Sequence, residues 1–194
     1  MKPDCVRDIS KFSSMDSNRP YFLDTNILYW YCYSNYALLN SNKVRRQSEI
    51  YINFVDNLVY NGNPIFTSVY NMSELLYTVE KNEFELYKSK QGTDITLKEF
   101  RRITNRSDLK TTLSVCIENI KNICKILDYH SGPDILDEFV SSIDKHHCDN
   151  YDYIILKNCI ADNKMHIISD DADFATIDGF TLYTANSYAL NPTI

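Results

Sequence analysis

Four short apolar runs punctuate the chain: Tyr21–Asp24, Ile65–Thr67, His166–Ser169 and Phe180–Tyr183. Turn residues precede the first two, Pro20 in one case and Asn61-Gly62-Asn63-Pro64 in the other. Long stretches of helical periodicity separate the runs, and that alternation predicts a parallel sheet covered by helices. Ile50, Phe54 and Leu58, with Tyr51 and Val55, mark an amphipathic helix between the first two runs. Met72, Leu75, Leu76, Val79 and Leu86 mark the next, which carries Glu74 in its first turns. Asp134–Ile143 reads as a short helix after Ser131-Gly132-Pro133. Asp149-Asn150-Tyr151-Asp152 opens a last one, running to about Asp162 with Ile155 and Cys159 inward.

The stretch 88–130 follows a different rhythm. Gln91-Gly92-Thr93 breaks the preceding helix, and Thr96-x-x-Glu99 is a capping box for a new one. Leu97, Phe100 and Ile103 set its apolar face; a later face runs through Leu109, Leu113, Cys116, Ile117, Ile120, Cys124 and Leu127. At about 100° per residue the two faces point in nearly opposite directions, so one straight helix would bury inconsistent sides. A break within Thr104–Asp108 resolves this and predicts a helical hairpin or elbow. The expected organisation is one domain over 20–194, with a helical insertion at about 90–127. Residues 1–19 read as a flexible arm or a surface-lying extension.

Composition narrows the classes. A length of 194 residues suits a single domain, and 44% hydrophobic with 24% charged residues is ordinary for a soluble globular protein. No apolar run approaches the roughly 20 residues of a bilayer span, and the amino end has no signal-peptide stretch, so a cytoplasmic protein away from membranes is expected. The six cysteines contain no C-x-x-C pair; Cys116, Cys124 and Cys159 fall on apolar helical faces, which fits a reduced setting without zinc. His146-His147-Cys148 offers three donors that, being adjacent, point in different directions.

The net charge of −6 argues against a generic nucleic-acid binder and leaves only local basic clusters. Lys98, Arg102, Arg106 and Lys110 recur every fourth residue, with Arg101 adjoining, and on one helix would face phosphates. The break disrupts that stripe but leaves Lys98, Arg101 and Arg102 together; a solvated face is the plain alternative. Lys43, Arg45 and Arg46 form a second cluster.

Four acids lie at the edges of these elements. Asp24 closes the first apolar run, Asp171 follows the third, and Glu74 and Asp152 lie near helix starts. In parallel α/β sheets ligands bind beyond the carboxyl ends of the strands, so all four are placed to converge. Two carboxylates about 4–5 Å apart repel by several kcal/mol at an effective dielectric near 20. Such a cluster needs protons or a hard cation, Mg²⁺ or Mn²⁺, and points to metal-assisted phosphodiester hydrolysis. Taken singly, each acid has a plainer reading. Asp24 suits a helix cap, Glu74 a helix dipole, Asp149 an N-cap with Asp152 in its first turn, and Asp170, Asp171 and Asp173 a solvated turn. Whether Asp149 or Asp152 is the third member stays open.

At these residues the chain resembles the PIN-domain nucleases. Asp24-Thr25-Asn26-Ile27-Leu28 resembles that family's opening motif, and Ser68-Val69-Tyr70-Asn71-Met72-Ser73-Glu74-Leu75 its second. Asp152-Tyr153-Ile154-Ile155 is similar to the third, and Ile167-Ile168-Ser169-Asp170-Asp171-Ala172-Asp173-Phe174 to the ending. The resemblance implies a three-layer α/β/α PIN-like fold with a short parallel sheet. It implies that Asp24, Glu74, Asp152 and Asp171 bind Mg²⁺ or Mn²⁺, with Asn26, Ser169 and Asp173 in support, and that RNA is cleaved to leave a 5′-phosphate. VapC-type toxins are the most populous bacterial branch, which implies an antitoxin partner and allows a homodimer. Two departures bear on that branch: Tyr153 stands where a small residue is usual, and the chain is longer than a typical toxin of that type. The D-x-D phosphatases of the haloacid-dehalogenase type are excluded, because Asn26 occupies the second acid's position. A catalytically silent PIN-like scaffold that binds RNA or protein is the alternative. The rings of Tyr29, Trp30, Tyr31, Tyr33 and Tyr36 are expected mostly to pack the core, otherwise to stack on bases or to receive an antitoxin segment or second subunit.

Overall fold

The computed structural model describes residues 5–11, 18–39, 41–103, 105–128, 132–162 and 166–191. Its strands are β1 (Cys5–Asp8), β2 (Tyr21–Leu23), β3 (Ile65–Ser68), β4 (Lys125–Leu127), β5 (His166–Ile168) and β6 (Thr181–Thr184). The helices are α1 (Thr25–Cys32), α2 (Tyr36–Leu39), α3 (Asn42–Tyr60), α4 (Val69–Gln91), α5 (Leu97–Phe100), α6 (Ser107–Ile123), α7 (Asp134–Ser142), α8 (Asn150–Ala161) and α9 (Ser187–Leu190). The strands form one sheet in the order β1-β6-β5-β2-β3-β4, and every pairing is parallel.

Alternation along the strands feeds two cores. Tyr21 and Leu23 of β2, with Ile65, Ile168 and Tyr183 from its neighbours, face a core filled by α1, α3, α4 and α6. Phe22, Ile167 and Leu182 point the other way, into a core with α8 and the segment Phe174–Phe180, against which α7 packs. Strands buried on both faces read as short continuous apolar runs, which is the pattern four of them show. The result is three layers, α/β/α.

The order of the strands fixes where a ligand can sit. From β2 the chain moves one way to β3 and β4, whereas β5, β6 and β1 lie on the other side of it. The β2–β5 junction is therefore a topological switch point, where loops at the carboxyl ends diverge and leave a crevice.

Two edge strands depart from the sequence expectation. Within the stretch 1–19, expected as a flexible arm or a surface-lying extension, Cys5–Asp8 is an edge strand in register with β6, Val6 opposite Leu182, followed by a turn that buries Ile9; residues 1–4 and 12–17 lie outside the described residues. Lys125–Leu127 does not extend the preceding helix, as the apolar face through Leu127 implied. Helix α6 ends at Ile123, and β4 pairs with β3.

The break between α5 and α6 lies where the opposed faces require one. The chain leaves α4 through Gly92 at φ +61°, the left-handed cap glycine favours, and the capping box of Thr96 and Glu99 starts α5. Phe84, Phe100 and Leu109 form a small satellite core there, while Cys116 and Ile120 of α6 enter the main one. Cys32, Cys116, Cys124, Cys148 and Cys159 are all buried. Among the described residues no helix is long and apolar enough to cross a membrane.

Leu75, fully buried in the main core, and Leu136, half exposed on α7, give a direct test of this layering. Leu75→Ala should cost about 2–5 kcal/mol in urea denaturation, and Leu136→Ala within about 0.5 kcal/mol.

Candidate functional site

β2 ends at Leu23, and the next residue caps α1: the Asp24 carboxylate accepts from the Thr25 amide at 2.6 Å. It also accepts from Ser169 Oγ at 2.7 Å, Asn26 Nδ2 at 2.8 Å and Asn71 Nδ2 at 3.3 Å. The cap and the acid-cluster position are thus the same residue. Ser169, fully buried at the end of β5, links two acids, because its Oγ accepts from the Asp171 amide at 2.9 Å while donating to Asp24.

Glu74 lies in the second turn of α4, which Ser68 caps. Its Oε2 accepts from Thr25 Oγ1 at 2.7 Å, and Asn71 Nδ2 donates to that same hydroxyl at 3.1 Å. Asp149 caps α8, accepting from the Asp152 amide at 3.0 Å, with Asp152 in the first turn. The amino ends of α1, α4 and α8 thus meet at the switch point, and their dipoles favour negative charge there.

Asp24, Glu74, Asp149, Asp152 and Asp171 line one cleft of about 740 Å³, together with Asn26, Tyr29, Tyr70, Tyr77 and Tyr151. Burial pushes Asp24 up to about 7 against the pull of its Ser169 and Thr25 hydrogen bonds, and the charges of Glu74 and Asp171 add to the rise. Burial, followed by the charges of Asp24, Asp149, Asp171 and Glu74, pushes Asp152 up to about 8. Burial likewise raises Asp171, with the Asp173 amide pulling the other way.

The remaining candidates divide. Asn26 joins the cluster through Asp24 and accepts from the Asp170 amide at 3.3 Å. Asp173 takes part through its backbone, its amide donating to Asp171 Oδ1 at 2.8 Å while its side chain is exposed and off the cleft wall. Asp170 is no solvated turn residue: Tyr51 Oη at 2.6 Å and Gln47 Nε2 at 2.5 Å hold it toward α3.

Lys98, Arg101, Arg102 and Arg106 do not line the cleft. Arg101 forks onto Glu80 of α4, with Nε at 2.9 Å, and Arg106 lies 3.9 Å from the same carboxylate. Lys43 and Arg46 line a separate cleft of about 370 Å³ at the start of α3. Of the aromatic set after Asp24, Tyr33 is buried and Tyr29, Trp30, Tyr31 and Tyr36, each partly buried, pack against the main core; of the five, Tyr29 reaches the cleft. Tyr153 stacks on His146 at 4.8 Å and meets Phe139 edge-on at 5.5 Å, so its bulk fastens α7 to α8.

Two polar residues of the site, Asn71 and Thr25, lie within the motifs but were not among the sequence candidates. The signal for Asn71 is Ser68-x-x-Asn71, where the Ser68 hydroxyl accepts from the Asn71 amide at 3.2 Å and caps α4; that for Thr25 is its place between Asp24 and Asn26.

No family model and no curated protein matches the chain. Among solved structures, a chain of VapBC2 from Rickettsia felis, crystallised bound to a DNA fragment from their promoter, superposes with a TM-score of 0.50 at 19% identity. The match covers 84% of this chain and 96% of that one. The fold is PIN-like.

The raised acids imply a pH dependence. Asp24 and Asp152 bind protons more tightly folded than unfolded, so this contribution to stability is complete below the ordinary carboxylate value. It is lost as pH rises through about 7 and about 8. In EDTA the melting temperature should therefore fall between about pH 4 and pH 8, and Asp152→Asn should flatten the upper half of that fall. An unchanged slope in Asp152→Asn would show that these carboxyls are not crowded.

Proposed function

We propose that this protein is a metal-dependent endoribonuclease whose active site is the acidic cleft at the β2–β5 switch point. The observation that carries the reading is the meeting of Asp24, Glu74, Asp152 and Asp171 in one cleft. Acids from four separate stretches of sequence gain nothing by this crowding unless a cation or protons answer it.

The donor set is all oxygen, which fits Mg²⁺ or Mn²⁺; Mg²⁺ takes only one or two carboxylates directly and keeps several waters. Asp24, Asp152 and Asp171 would hold the ion, and Glu74 would hold it through water or orient the nucleophile. Asp152 is preferred to Asp149 because the Asp149 carboxylate is engaged in capping α8. The bound cation supplies charge neutralisation at the scissile phosphate and a more acidic water.

The protein's own groups then have defined tasks. Ser169 and Asn26 fix the rotation of the Asp24 carboxylate, and the Asp173 amide fixes Asp171. Asn71 and Thr25 orient Glu74 relative to Asp24. The toxin of a toxin–antitoxin pair, acting in the cytoplasm with an antitoxin as partner, is the more specific form of the proposal, supported by the motifs and the likeness to a VapBC2 chain.

The alternative is a catalytically silent scaffold that binds RNA or protein; among the described residues no three His, Cys, Asp or Glu side chains are grouped to hold one metal ion, so the ion would meet one or two of these carboxylates directly and the others through water. Thermal stability separates the two. Mn²⁺ should raise the melting temperature of the parent protein and leave Asp24→Asn unchanged; cleavage of single-stranded RNA should require the ion and vanish in Asp24→Asn. Cleavage that persists in EDTA would be incompatible with the mechanism. Ser169→Ala, which removes the hydroxyl between two acids, should lower metal affinity or cleavage about 10–100-fold. Growth arrest on expression, and a short neighbouring reading frame that relieves it, would decide the toxin assignment.

A further inference from the structure

Among the described residues the cleft wall holds five carboxylates and no lysine or arginine, an unwelcoming surface for a polyanion away from the cation. Two cations gather at one point on its rim, the ring of Tyr77. Lys81 Nζ lies 5.4 Å from the centroid of that ring and Arg101 Cζ 5.9 Å. Arg101 comes from the turn after α5 and is pinned to Glu80, so the helical insertion delivers a fixed cation to the cleft edge. Glu74, Tyr77 and Lys81 are spaced three and four residues apart on α4, hence on one face of the helix. From Glu74 to Lys81 is about 10 Å along the axis, the reach of a short oligonucleotide rather than of one nucleotide.

We infer that this face of α4 is a strand-guiding tract: an unpaired base stacks on Tyr77 while the adjoining phosphate meets Arg101 and Lys81, and the chain is led to the acids. Tyr77 is 51% exposed, and Tyr151, one residue before Asp152 on the opposite helical layer, is 66% exposed. Tyr151 is placed to take a base on the other side of the acids. Aromatic rings beside cations bind single strands because every unpaired base offers a face to stack, whereas the bases of a duplex are already stacked on each other. The inference rests on the nuclease reading for its direction, from rim to acids, and not for the binding itself.

The test is anisotropy of a fluorescein-labelled single-stranded oligoribonucleotide in the Asp24→Asn background with Mg²⁺, where binding is read without cleavage. Tyr77→Ala should weaken binding about 5- to 100-fold, and Tyr77→Phe, which keeps the ring, should bind like the parent. Lys81→Ala should weaken binding and reduce the slope of log affinity against log salt by about one ion. A duplex of the same sequence should bind more weakly than the single strand. Equal binding by Tyr77→Ala and its parent, or an equal loss in Tyr77→Phe, would overturn the tract, as would an oligoribonucleotide that does not bind at all. If the parent cleaves nothing but binding follows this pattern, the nuclease reading fails and the tract stands. If cleavage is robust and KM is the same in Tyr77→Ala, the tract fails and the nuclease reading stands.

Discussion

Asp24 is 5% exposed and shares its cleft with four other carboxylates, a placement that physical chemistry penalises twice, by desolvation and by repulsion. The structure answers with donors. A helix amide, a serine hydroxyl and two asparagine amides meet its two oxygens. The four donors come from three segments: Asn71 from α4, Ser169 from the end of β5, Thr25 and Asn26 from α1. Satisfying one buried carboxylate thereby fixes how three loops leave the sheet. The neighbouring acids inherit their positions through the same bonds, Asp171 through Ser169 and Glu74 through Thr25.

Much of this was legible in the sequence because it is local. The four central strands are apolar runs bounded by turn residues, and the opposed faces on either side of Thr104 force a break that any straight helix would violate. Asp149 as N-cap and Thr96 with Glu99 as a capping box are spacings, and spacings survive folding. The acid cluster was readable because strand ends and helix starts recur at the same end of a parallel sheet.

What could not be read is what depends on a partner distant in sequence. β1 and β4 are short edge strands whose only evidence is the neighbour they pair with; Lys125-Ile126-Leu127 even continues the rhythm of α6. The tyrosines after Asp24 pack mostly inward, as expected of them; what the sequence did not single out is that Tyr70, Tyr77 and Tyr151 join Tyr29 in lining the cleft. Arg101 belonged to a charge stripe on paper, but the turn after α5 gives it to Glu80 and the Tyr77 ring.

The sheet edges have a further consequence for how copies of this protein behave in a crowded solution. Both outer strands are brief, four residues in β1 and three in β4, and they carry Arg7, Asp8 and Lys125. A foreign strand finds few backbone groups in line there and a charge beside each, which disfavours strand-by-strand growth into fibrils. Six parallel strands with apolar faces could otherwise be a liability during synthesis, when partly folded chains meet. Here the most β-prone segments are interior, and the borders that meet other molecules are the least adhesive parts of the sheet.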